Sequence, residues 1–130
     1  MDKEGIKILL VDDEADFAQS MTSWLESKGY AVRVASNGEI AIAMIKEDAP
    51  DIVFMDLNMP VMDGLEALKR IREFNKDLPV IIISAYAEDL RLREANSYGI
   101  SGVFYKGKDL KEWLSLLETA LRTHKKLKKE

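Results

Sequence analysis

Five short runs rich in β-branched and aromatic residues punctuate the chain: IKILLV (6–11), YAVRVA (30–35), DIVFM (51–55), PVIIIS (79–84) and SGVFY (101–105). Most are continuously apolar rather than alternating, which is the pattern of strands covered on both faces. Between them the apolar spacing changes to three and four residues, in Phe17, Met21, Trp24 and Leu25, in Ile40, Ala41, Met44 and Ile45, and in Leu65, Leu68 and Ile71. The last helix is the clearest: Leu110, Trp113, Leu114, Leu117, Ala120 and Leu121 share one face, with Lys111, Glu112, Ser115 and Glu118 on the other. Glu88 to Ser97 is charged and weakly periodic, and predicts a helix with few core anchors. SNGE (36–39) has the form of a capping box from Ser36 to Glu39, and Gly29 and Gly99 stand where helices should stop. Alternating strand and helix predict an α/β fold, a doubly wound five-stranded parallel sheet with helices on both faces and right-handed crossovers.

In open sheets of this kind, ligand groups gather at the carboxyl ends of the strands. Those ends carry Asp12 and Asp13 after the first strand, Asp56 after the third, Ser84 after the fourth and Lys106 after the fifth. A buried carboxylate without a cationic neighbour is costly, so Asp56, closing an apolar strand, implies a cation and a lysine beside it. Mg²⁺ suits such a rim, since it takes oxygen ligands and keeps part of its water shell. With 130 residues, 47% hydrophobic and 32% charged, the chain is expected to form one domain over 1–130, with a core over about 6–121 and a basic tail over 122–130. No apolar run approaches the roughly 18 residues of a membrane span, and the acidic N-terminus lacks the form of a signal peptide. A cytoplasmic location is the expectation. Zero cysteines remove thiol chemistry, and a net charge of −4 argues against a nucleic-acid surface.

Taken together, LLVDDE, FMDLNMP followed by MDG, the hydroxyl closing the fourth strand and the lysine closing the fifth resemble the receiver domain of two-component response regulators, over about Lys7 to Leu121. The resemblance implies a flavodoxin-like (βα)5 fold with strand order 2-1-3-4-5. It implies that a sensor histidine kinase or phosphotransfer protein passes a phosphoryl group to Asp56. Asp12, Asp13 and Asp56 would hold Mg²⁺ with the backbone carbonyl of Asn58, Lys106 would pair with one phosphoryl oxygen, and Ser84 would hydrogen-bond another. The output would go to a downstream protein or to an output domain of a longer chain, with no direct nucleic-acid or membrane contact and with a phosphorylation-dependent dimer as one assembly.

Each residue also has a plainer role. Asp12 and Asp13 would favour the start of a helix, Ser84 would merely end a strand, Lys106 would sit in solvent, and Met55, Met59 and Met62 would fill space. His124, in the tail RTHKKLKKE, reads as solvated rather than as a phosphorelay histidine. Two positions depart from the family pattern. Gly107 follows the lysine where proline is usual, and Val103 stands three residues before it where an aromatic switch is usual. The switch is therefore expected in Ser84, Tyr86 and the segment from Glu88 to Ser97, with Tyr105 turned by strand alternation away from the neighbours of Val103. An aspartyl-phosphate phosphatase would need an acid where Asn58 stands. A flavin or dinucleotide binder would need a glycine-rich loop after the first strand. A phosphorylation-independent interaction module would have no use for the full set of site residues.

Overall fold

The computed structural model describes residues 5–123. Five strands alternate with five helices: β1 (Lys7–Val11), α1 (Ala15–Ser27), β2 (Ala31–Ala35), α2 (Gly38–Glu47), β3 (Ile52–Asp56), α3 (Gly64–Phe74), β4 (Val80–Ser84), α4 (Arg91–Ser97), β5 (Gly102–Tyr105) and α5 (Leu110–Thr123). The strands pair in parallel in the order β2-β1-β3-β4-β5, as the resemblance implied. The tail residues 124–130, with His124, lie outside the described residues.

Strand pleating divides the core in two. Ile8, Leu10, Phe54 and Ile83 meet α1 and α5 on one face, while Leu9, Val11, Met55 and Ile82 meet α2, α3 and α4 on the other. Trp113 of α5 centres the first layer, stacked on Phe54 and set edge-on to Phe104, each at 4.5 Å between ring centroids. α1 closes as the glycine required: Tyr30 N–H donates to Leu25 O and Gly29 N–H to Glu26 O, with Gly29 at φ 100°. Gly99, at φ 82°, ends α4 in the same region of backbone space.

Several local expectations shift. The cap of α2 is Asn37, whose side chain accepts from Ile40 N–H at 2.9 Å, and not Ser36. The start is set by packing: a Cβ on Gly38 would lie 2.9 Å from Ala67 Cβ, so α2 and α3 touch through that glycine. The stripe facing the core is then Gly38, Ala41 and Ile45, which rotates Ile40 into solvent. Leu110, heading α5 before its first buried turn, is also exposed. α4 is shorter than the span from Glu88, beginning at Arg91 and burying Ala95, because Asp89 accepts from Arg91 N–H and Leu90 is left in solvent. Val103 packs with the Leu9 layer and Phe104 with the Ile8 layer, so alternation puts Tyr105 on Val103's side of the sheet, opposite to the expectation.

Gly64 opens α3 directly beneath the end of β3. An added Cβ would lie 2.2 Å from the carbonyl oxygen of Asp56, and Gly64 N–H donates to Leu57 O at 3.0 Å. Backbone cannot yield here as a flexible side chain would. Gly64→Ala is expected to lower unfolding stability by roughly 1–3 kcal/mol, read from urea midpoints; an unchanged midpoint would show that the loop relaxes freely.

Candidate functional site

β1 and β3 end side by side, and the registers of β3 with β4 and of β4 with β5 carry the neighbouring strand ends to the same rim: Asp56 faces Ile83, and Ser84 faces Tyr105. Lys106 follows at once, fixed by its N–H to Ser84 O at 2.9 Å. Asp12, Asp56 and Ser84 are buried there. Carboxylate oxygens of Asp12, Asp13 and Asp56 come within 4.8 Å of one another.

Lys106 is the amine of this cluster. Its Nζ lies 3.3 Å from Asp12 Oδ2 and 3.5 Å from Asp56 Oδ2, contacts Glu14 Oε1 directly, and sits 4.7 Å from the centre of the Phe17 ring. Burial pulls the ammonium down, but the bond it donates to Glu14 and the charges of Asp56 and Asp12 outweigh it and hold Lys106 above its ordinary value. Asp12 Oδ1 accepts from Glu14 N–H at 2.8 Å, whereas its buried Oδ2 accepts no hydrogen bond among the described residues. Asp56 Oδ1 accepts from Asn58 N–H at 3.2 Å. Burial, then the charge of Asp12, push the Asp56 carboxyl up to about 6 against the pull of Lys106 and that N–H.

The sequence-derived residues thus divide. Asp12, Asp13, Asp56 and Lys106 converge. Ser84 borders them, but its hydroxyl donates to Tyr86 O at 2.8 Å and accepts from Tyr86 N–H at 3.2 Å, so its proton is engaged in the β4–α4 loop. Asn58 presents its N–H to Asp56, while its side-chain oxygen accepts from Arg91. The Tyr86 side chain is exposed, and Val103 and Tyr105 are partly covered. Two residues escaped the sequence reading. Glu14 belongs to the quoted acidic run VDDE and was legible there; Arg91 lies in a charged segment where no pattern marks it.

An all-oxygen donor set with excess negative charge, including a buried Asp12 Oδ2 that meets the Lys106 ammonium but accepts no hydrogen bond among the described residues, fits a hard divalent cation. The charge balance also makes the metal-free state pH-dependent. The Asp56 carboxyl stands near 6 when folded and near 3.8 in its ordinary state, so folding favours the protonated form. The penalty is absent below the lower value, grows as pH rises between the two, and is complete above the higher. Asp56→Asn is therefore expected to stabilise the metal-free protein by roughly 1–3 kcal/mol at pH 7–8 and to gain little near pH 4, measured as paired urea titrations. A gain equal at both pH values would contradict this charge balance.

A family model described as response regulator receiver domain matches residues 8–118. The chain is 36% identical over 124 residues to regulatory protein AtoC of Escherichia coli (strain K12), covering 95% of this chain and 27% of that protein. It is 34% identical over 106 residues to sporulation initiation phosphotransferase F of Bacillus subtilis (strain 168), covering 82% of this chain and 86% of that one. The chain thus spans about a quarter of the first of these relatives and most of the second. Among solved structures, it matches response regulator protein TrrA of Thermotoga maritima in complex with Mg(2+)-BeF, with a TM-score of 0.78 and 30% identity over 88% of this chain and 98% of that one. It also matches chemotaxis protein CheY4 of Vibrio cholerae, with a TM-score of 0.83 and 29% identity over 88% of this chain and 98% of that one.

Proposed function

This chain belongs to the response regulator receiver domain family, and from that membership we propose that Asp56 is its phosphoacceptor, with Mg²⁺ held by Asp12, Asp13, Asp56 and the backbone carbonyl of Asn58. The observation that carries the reading is the convergence of three carboxylates at one strand-end rim, two of them, Asp12 and Asp56, meeting Lys106. Phosphoryl transfer asks the protein chiefly for positioning and charge neutralisation. An Asp56 carboxyl near 6 is ionised at neutral pH and can attack phosphorus, forming the O–P bond as the donor's N–P bond breaks. The bound cation would neutralise the equatorial oxygens. Lys106 Nζ, already between Asp12 and Asp56, would exchange carboxylate contacts for a phosphoryl oxygen.

Ser84 would act after the transfer. Its hydroxyl proton would leave Tyr86 O for the phosphoryl group, freeing the β4–α4 loop. With Val103 offering no ring and Gly107 at φ 92° easing the last loop, the change would run through Tyr86 and the short α4, with Tyr105 beside Val103 on the strand. A two-state element biased in this way is all the output requires. We read residues 6–121 as one receiver unit and place it in the cytoplasm. Its donor would be a sensor histidine kinase or phosphotransfer protein. Its target would be a downstream protein, an output domain or a second phosphorylated copy, with no nucleic acid in contact.

Incubation with acetyl phosphate and Mg²⁺ is expected to add one base-labile phosphoryl group, seen by intact mass. Asp56→Ala should abolish it. Asp13→Ala should weaken Mg²⁺ binding by roughly tenfold or more, because it removes an oxygen ligand from a small set. Ser84→Ala should keep uptake while losing the change in amide exchange over 84–97. Wild-type labelling of the Asp56→Ala protein would defeat the assignment.

A further inference from the structure

Arg91, the first residue of α4, lies outside the acidic cluster, and the phosphoryl chemistry assigns it no task. Its guanidinium is nevertheless tied on every side. Nε and one Nη meet the two Asp89 oxygens at 3.0 and 2.7 Å, and that Nη also donates to Asn58 Oδ1. The other Nη donates to Leu57 O at 3.2 Å and lies 3.5 Å from Asp63 Oδ2. Five N–H donors thus have five acceptors within reach. Three of those acceptors belong to the loop between β3 and α3, beginning at the residue after Asp56 and ending at the cap of α3.

That loop has few other anchors. Of residues 57–63, Leu57 and Met62 are buried, and Val61 is 75% exposed at φ 70°, closing a γ-turn through Met62 N–H to Pro60 O. Leu57 O accepts from Gly64 N–H as well as from Arg91, and Asn58 donates its N–H to Asp56. The 57–58 peptide is therefore held from both its atoms. A backbone carbonyl has no side-chain identity to select it as a ligand, so its availability depends on how firmly its loop is placed.

We propose that Arg91 is a positioning residue of the cation site, its fork holding Leu57 and Asn58 so that the β3–α3 loop completes the oxygen shell, and linking that loop to α4. The inference rests on the reading of Asp12, Asp13 and Asp56 as the Mg²⁺ ligands. It has a sign of its own. A positive charge near a cation site repels the ion, so a purely electrostatic Arg91 would tighten binding when removed. A positioning Arg91 weakens it, because the apparent affinity falls with the fraction of loop in the competent arrangement. Linkage then requires Mg²⁺ to protect the start of α4 in return.

Arg91→Lys keeps the charge and removes the planar fork. Titration calorimetry with Mg²⁺ is expected to show roughly three- to tenfold weaker binding in Arg91→Lys, and weaker binding also in Arg91→Gln despite the lost repulsion. Hydrogen exchange over 57–63 should quicken in both, and the protection that Mg²⁺ confers on 89–97 in the wild type should vanish. Affinity equal to or tighter than wild type in both variants overturns the proposal. Asn58→Ala severs one arm of the fork without altering the backbone carbonyl. Combined with Arg91→Lys, it should cost less than the product of the single effects, and fully multiplicative losses would count against a shared mechanism. Should the Arg91 variants not fold, Asn58→Ala alone decides, through loss or survival of the Mg²⁺-dependent protection at 89–97. Wild-type protein that binds no Mg²⁺ would remove the cation-site reading itself, and the proposal with it.

Discussion

Three carboxylates meet one amine at the rim of the sheet, and the imbalance between them governs this molecule. Asp12 and Asp56 are buried, Asp13 stands beside them, and Lys106 reaches both buried acids while Glu14 competes for it. Burial first, and then the like charge of Asp12, disfavour ionisation, which is why the Asp56 carboxyl rises to about 6 even with an ammonium 3.5 Å away. The metal-free fold therefore carries an electrostatic cost. Binding a divalent cation, or a phosphoryl group with its cation, would relieve that cost and give the site leverage over the rest of the structure.

The leverage needs mechanical contacts to act through, and these lie in the two loops beside Asp56. Gly64 brings the start of α3 against the Asp56 carbonyl, closer than any side chain would permit. Ser84 binds its own loop through both its oxygen and its proton, so a new acceptor at Asp56 must compete with Tyr86 O. Arg91 ties the loop after β3 to the head of α4. α4 buries a single residue, Ala95, in only seven, so little core packing resists its movement. The stiff part of the molecule is elsewhere, in the Trp113 layer between the sheet, α1 and α5.

Much of this was legible in the residues. The continuous apolar runs marked buried strands, the switch to three-and-four spacing marked helices, and the strand-end rule gathered Asp12, Asp13, Asp56 and Lys106 on one rim before any coordinates. The differences have separate causes. Ser36 was expected to cap α2, but the contact of Gly38 with Ala67 moved the start by one residue and turned Ile40 outward. α4 is shorter than expected because Asp89 accepts from Arg91 N–H, a local hydrogen bond that competes with helix and leaves no periodic trace. Tyr105 lies on Val103's side of the sheet, contrary to expectation, since residues two apart on a strand share a face.

By itself the sequence determined the fold class, the number and order of the elements, and the set of groups at the strand ends, because periodicity and strand polarity are local properties that each segment carries alone. The strand order came from family resemblance. Only the tertiary structure decided what those groups do to one another: that Glu14 shares Lys106, that Ser84's proton is engaged by Tyr86, and that Arg91, 33 residues beyond Asn58, holds its side chain. The first and last of these contacts join segments distant along the chain. A pairing of that kind depends on how whole elements pack, and no local pattern encodes it.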